Sequence, residues 1–192
     1  MIEHIAEAFF PSRFGKFIIH AFREEDKTHI ALVRCSSHKH PKAVPVRIHS
    51  RCLTGDALTS LRCDCRNQLE GALEYLEKKR CGVFIYLDQE GRGIGLGNKI
   101  KAYALQDKGL DTVEANVHLG FDEDIRNYAA AAEILKYFDI TKIALLTNNP
   151  KKIEDLEKNG IYIVKRIPLV MKPTKYNKKY LKTKKEKMRH II

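Results

Sequence analysis

The sequence predicts an α/β protein, a single domain whose mixed sheet is flanked by helices and preceded by a β-rich N-terminal region. Between residues 67 and 168, short apolar runs alternate with segments of helical period, the pattern of helices covering a sheet. Residues 1–35 carry strand-like runs broken by a charged turn. No internal repeat and no Pro/Gly-rich linker divides the 192 residues, a length that suits one domain with a sizeable core.

Taken in order, residues 14–19 and 29–34 read as strands, joined by the turn Glu24-Glu25-Asp26-Lys27. Residues 36–45, with two prolines and two histidines, form a loop, and the pair His38/His40 reads as solvated rather than as metal ligands. Residues 46–49 alternate apolar and basic side chains, as a strand would. A helix follows over residues 67–79, where Leu69, Ala72, Leu73 and Leu76 share one face. Residues 81–87 make a short apolar strand, with Cys81 at its start reading as core. The glycine-rich run 91–97 then leads into a helix beginning at Asn98, an arrangement in which backbone N–H groups can approach an anion. It matches neither a dinucleotide fingerprint nor a Walker A loop, so alone it is a weak phosphate signal. Residues 111–121 read as a polar connector and residues 122–138 as a helix with acidic residues in its first turn. A strand at 143–146, a helix at 151–159 closed by Gly160, and a strand at 161–164 complete the alternation.

The stretch with the most chemistry is 52–65, which holds three of the five cysteines as Cys52-x10-Cys63-x-Cys65. A Cys-x-Cys pair can turn two thiolates onto one ion, and a third thiolate leaves one tetrahedral zinc position open for water. His49, just upstream, is the nearby residue that could close it. Reduced core cysteines are the plainer alternative, but a stretch rich in Asp and Arg is a poor core. Cys35 and Cys81 are expected to stay away from the metal.

The formal net charge of +11 calls for an anionic partner, whether polyphosphate, nucleic acid or a membrane surface. Residues 172–187 hold eight lysines, so a basic tail spans 172–192; it reads either as solvated or as anion-binding. Nucleic acid is the weaker partner because no recognition motif accompanies the charge. No apolar run approaches the ~20 residues needed to span a bilayer. The N-terminus lacks a secretory layout, and free thiols suit a reducing compartment, so the cytoplasm is expected.

Several stretches, in order over nearly the whole chain, resemble one family, GTP cyclohydrolase II, the first enzyme of riboflavin synthesis. They are residues 47–50 with 52–57, Cys63-Asp64-Cys65, residues 89–96, 102–107 and 111–116, residues 145–152, and Lys184 with Lys187-Met188. The resemblance implies opening of the imidazole ring of GTP with loss of formate and diphosphate. It implies zinc on Cys52, Cys63 and Cys65, Asp124 as proton acceptor and Arg126 as nucleophile toward the α-phosphate. Nucleotide contacts would come from Arg47, Ile48, His49, Ser50, Arg51, Gln68, Glu90, Gly91, Arg92, Thr112, Thr147 and Lys152. Magnesium on the triphosphate and a homodimer are implied as well. A diverged relative acting on another purine nucleotide, or a catalytically silent zinc-containing binding protein, are the competing readings. Three positions depart from the family pattern: Arg51 for Glu, Arg66 for Gly and Asp88 for Arg. The first and last suggest a reversed, buried ion pair between Arg51 and Asp88. Arg66 is expected in a left-handed conformation that suits glycine.

Overall fold

The structure, a computed structural model, describes residues 1–35, 42–122 and 124–191. His38 and His40 lie outside them.

Three antiparallel strands open the chain: β1 (Glu3–Ser12), β2 (Gly15–Glu24) and β3 (Lys27–Cys35). After β4 (Val44–Ser50) come the single-turn helix α1 (Leu53–Asp56), α2 (Cys65–Lys79) and β5 (Cys81–Leu87). A 3-10 turn at Glu90–Gly93 leads into α3 (Gly95–Asp107) and α4 (Thr112–His118). The remainder is α5 (Ala129–Tyr137), β6 (Lys142–Leu146), α6 (Pro150–Lys158), β7 (Tyr162–Ile167) and α7 (Lys178–Glu186).

Among the described residues one seven-stranded sheet runs in the order β1-β2-β3-β5-β4-β6-β7. Its first half is antiparallel, whereas β5, β4, β6 and β7 pair in parallel, which makes the sheet mixed, as the alternation predicted. Side-chain alternation assigns the two faces. Val83, Ile85 and Leu87 of β5 join Val46 and Ile48 of β4 in a core covered by α5 and α6. Phe84 faces the other side, with Ala72, Leu73 and Leu76 of α2. On β4 the residues of that second face are Arg47 and His49, buried to 4% and 3% exposure. Polar residues thus replace apolar ones where the strand reaches the cleft.

Three expectations are corrected. Residues 111–121 contain α4, whose start is a capping box: Asp111 accepts the N–H groups of Val113 and Glu114, and Glu114 accepts that of Asp111. The helix expected from 122 begins only at Ala129, because Asp124 takes the N–H of Arg126 on its own side chain, an alternative to helix hydrogen bonding. The basic tail is folded onto the body through α7, with Leu181, Thr183 and Lys184 buried. The expectation of free thiols holds for Cys52, Cys63 and Cys65. Cys81, at the start of β5, is disulfide-bonded, so the expectation of free thiols fails there.

Candidate functional site

One cleft opens where the parallel strands β4, β5 and β6 end. Ligands of open α/β sheets bind at the carboxyl ends of the strands, because there the connecting loops diverge. β4 delivers Arg51 and Cys52, β5 delivers Gln89 to Arg92, and β6 delivers Thr147 to Asn149 with Lys152.

Within this cleft the three sulfurs converge. Cys52 lies just before α1 and Cys65 opens α2, so the turn between the helices folds Cys63 and Cys65 back onto Cys52. The Sγ atoms lie within 4.8 Å of one another, and Cys52 to Cys63 is 3.8 Å. With Zn–S bonds of about 2.3 Å, a tetrahedral edge is about 3.8 Å, so the donor set fits zinc. His49 does not close the set: its Nε2 meets both oxygens of Asp56 at 3.1 Å, and its ring stacks on Tyr86. Hydrogen bonds from the other two sulfurs, and Lys99 Nζ at 3.2 Å, pull the Cys52 thiol down. Cys63, hydrogen-bonded to the Cys52 thiolate, is pushed up to about 11, and its hydrogen bonds to the other two sulfurs push Cys65 up as well.

The cluster is braced from several sides. Asp56 accepts the N–H of Cys52 and the hydroxyl of Tyr86. Glu90 accepts from the Leu53 N–H at 2.6 Å and from Lys99 at 2.7 Å. Burial pulls the Lys99 pKa down, but Glu90 and the Cys52 thiolate reverse this and raise it overall. Asp64, between two of the cysteines, takes Lys184 of α7 at 3.1 Å and Gln68 at 2.5 Å. Gln68 in turn accepts from Arg47 at 2.7 Å.

Cations crowd the same cleft. Arg47, Arg92, Arg126, Lys152 and Lys184 line it, with the imidazole of His190 among them. Burial lowers the pKa of Lys152 well below its ordinary value, and Arg47 and Arg126 lower it further. Burial, then Lys184 and Lys152, press His190 down to about 3. Among the described residues, Arg47 Nε, His49 Nδ1 and His190 Nε2 are buried without a hydrogen-bond partner. Such a concentration of buried positive charge is the complement of a polyanion.

The sequence matches the GTP cyclohydrolase II family over residues 3–168. The chain belongs to that family. A GTP cyclohydrolase-2 of Picrophilus torridus is 53% identical, with all of both chains covered. One of Campylobacter hominis is 54% identical over 95% of this chain and 91% of its own. A riboflavin biosynthesis protein RibBA of Staphylococcus epidermidis is 53% identical over 95% of this chain but only 46% of its own length.

Of the residues that the family resemblance nominated, most meet in this cleft. Arg47, His49, Ser50, Arg51, Gln68, Glu90, Gly91, Arg92, Thr112, Arg126, Thr147, Lys152 and the three cysteines line it. Ile48 does not, since its side chain belongs to the opposite core; only its carbonyl takes part, accepting from Lys152 Nζ at 2.7 Å. Asp124 sits behind Arg126, with Nε to Oδ1 at 2.8 Å and Nη2 to Oδ2 at 2.5 Å. Arg66 is helical within α2 rather than left-handed. Its guanidinium spans from Glu70 to the Asp56 carbonyl, bracing the metal turn. The sequence reading missed Lys99, Tyr180 and His190, which line the same cleft. Lys99 had a signal in its helical position after the glycine run, but nothing local marks Tyr180 or His190.

Proposed function

We propose that this protein is a GTP cyclohydrolase II, opening the imidazole ring of GTP to release formate and diphosphate in the first step of riboflavin synthesis. The observation that carries this reading is a three-sulfur group and a buried cation cluster facing one cleft. The sulfur group suits attack at a purine carbon, the cation cluster a triphosphate.

Cys52, Cys63 and Cys65 would hold zinc, which when bound supplies activated water for attack at C8. Lys152, Arg92, Arg47 and His190 would receive the phosphates. Buried charges gain most from an anion that replaces the water they have lost. Arg126 lines the same cleft, and its role is nucleophile toward the α-phosphate. Burial lowers its pKa, but Tyr128 and Asp124 outweigh this and hold the guanidinium protonated. Attack therefore requires a proton to leave, and Asp124 Oδ2, at 2.5 Å from Nη2, is placed to accept it. The resemblance placed Gln68 and Glu90 among the nucleotide contacts, where their amide and carboxylate could meet the edges of guanine. Both are already bonded within the protein, Gln68 to Asp64 and Arg47, Glu90 to Leu53 and Lys99. They act by fixing the frame around the base rather than by free reach.

Magnesium accompanies the triphosphate. The chain works as one unit over 1–192, its basic segment included, since Lys184 reaches the metal turn. The homodimer rests on the resemblance, and the cytoplasmic setting on the free thiols of the cysteine cluster, against which stands the disulfide-bonded Cys81. No helix among the described residues is long and apolar enough to cross a membrane.

The test is to incubate zinc-loaded protein with GTP, ATP and ITP and to measure formate and diphosphate. Release of both from GTP, in equal amounts, is expected. Release from ATP or ITP but not GTP would point to a relative with another purine substrate, and no release from any of them to a silent binding protein.

A further inference from the structure

A second convergence of metal-ligating atoms lies at the outer edge of the sheet, where β1 is the terminal strand. His4 Nε2 stands 3.3 Å from His20 Nδ1. Glu7 Oε2 stands 3.2 Å from the same nitrogen. All three ligand atoms fall within 4.8 Å of one another, and none of the three residues lines the cleft. For nitrogen and oxygen ligands at about 2.0–2.1 Å from zinc, a tetrahedral edge is about 3.3–3.4 Å. Two of the three edges therefore stand at coordination length.

The backbone is shaped to bring these side chains together. Positions 4 and 7 differ by an odd number, so a regular strand would send them to opposite faces. β1 carries an extra residue: His4 pairs with Phe22 but Ala6 pairs with Ala21, leaving Ile5 as a bulge. The bulge reverses the parity, as bulges do when they re-aim a side chain. Glu7 then pairs with His20 and His4 with Phe22, and positions 20 and 22 share a face. All three candidate ligands thus point the same way.

Hydrogen bonding alone serves the group poorly. His20 Nδ1 offers one proton or one lone pair, yet it has both His4 and Glu7 within 3.3 Å. A cation between them would satisfy the three lone pairs at once. The imidazoles are held by packing, His4 stacked on Tyr137 at 4.9 Å and His20 edge-on to Phe138 at 4.8 Å. His20 is buried and Glu7 exposed, so a metal has an entry path and a preset nitrogen ligand. Two imidazoles and one carboxylate select zinc-like transition metals over magnesium or calcium.

We propose that His4, Glu7 and His20 form a second divalent transition-metal site, of zinc type, that pins the edge strand β1 to β2. It is separate from the sulfur group and does not depend on the reaction assigned to the cleft.

The experiment saturates metal-free wild type, Glu7→Gln and His4→Gln with zinc, and measures zinc per chain and affinity by calorimetry. Glu7 is exposed, so its substitution leaves the fold intact. Wild type should bind one more equivalent than either variant, or bind it at least tenfold more tightly, as loss of a ligand implies. Zinc should also raise the melting temperature of wild type more than that of Glu7→Gln, while formate release by the two stays equal. Cobalt(II) separates the sites, because only the cysteine group gives an intense thiolate-to-cobalt band. Wild type and both variants binding the same number of equivalents with the same affinity would overturn the proposal. So would a second cobalt equivalent that adds thiolate absorption.

Discussion

A methyl group added at Gly55 would stand 2.8 Å from Cys63 Sγ and 3.1 Å from Cys52 Sγ. Here glycine is required by close approach, since the sulfurs occupy the space a side chain would need. Gly55→Ala should therefore lower zinc content and formate release at least tenfold, while circular dichroism still reports the native fold. At Arg126, replacement by alanine should abolish diphosphate release and leave zinc content unchanged. Cys63→Ser should lose formate yet retain some diphosphate, and equal loss of both products in the two variants would refute separable steps. The pair of Arg51 and Asp88 shows what one residue's sequence context leaves open. The two side chains do meet, at 3.1 Å through one contact. They are 41% and 31% exposed, however, so the buried, bidentate bridge expected from the sequence is replaced by a surface one. A double-mutant cycle on Arg51 and Asp88 should return about 0.2–1 kcal/mol rather than the cost of a buried pair.

At the scale of elements, α7 converts a lysine-rich tail into part of the site. Lys184 reaches Asp64, and Lys187 spans Asp111 and Glu114 at the start of α4. Burial raises the Asp64 pKa, but Lys184 and Gln68 outweigh it and keep the carboxylate ionised. Lys184→Met should leave a buried charge without its cation and destabilise the protein by about 3–5 kcal/mol, read from urea unfolding. Lys184→Arg should recover part of that. The capping box of α4 was present in the letters as Asp111-x-x-Glu114, and reading the stretch as a polar connector overlooked it. The late start of α5 had no such local mark. Lys151 donates to the Asp124 carbonyl at 2.9 Å, a contact that exists only once α6 has docked.

For the whole molecule, the buried cation cluster predicts sensitivity to acid. His190 is neutral when folded, held down to about 3 by burial and by neighbouring lysines and arginines. Unfolded, it takes up a proton near its ordinary value of about 6.5. Below that pH the unfolded chain binds a proton that the folded chain refuses. Stability thus falls from about pH 6.5 toward 3, by at most about 1.4 kcal/mol per unit for this group. Burial lowers His49 in the same direction. Asp64 and Asp124, held low by their cationic partners against burial, lose their contribution as they protonate in more acid solution. Urea midpoints measured from about pH 7 down to about pH 4 should fall, and His190→Gln should flatten the slope.

The sequence by itself determined the alternation of strands and helices, the three-cysteine spacing and the family. Those features are local: a period of side chains, a ligand spacing and a run of motifs survive being read one residue after another. It could not place Ile48 and Arg47 on opposite faces of one strand with opposite duties, although their alternation hinted at it. Only tertiary structure decided that Lys99, Tyr180, Lys184 and His190 share a cleft with Cys52, because their proximity depends on how α3 and α7 pack. It likewise decided that Asp124 stands behind Arg126 and that Glu90 and Gln68 bind the protein's own groups. The bulge at Ile5 makes the same point at the far edge of the sheet. One extra residue in β1 reverses which side chains are neighbours, and the register across two strands is not written in either strand alone.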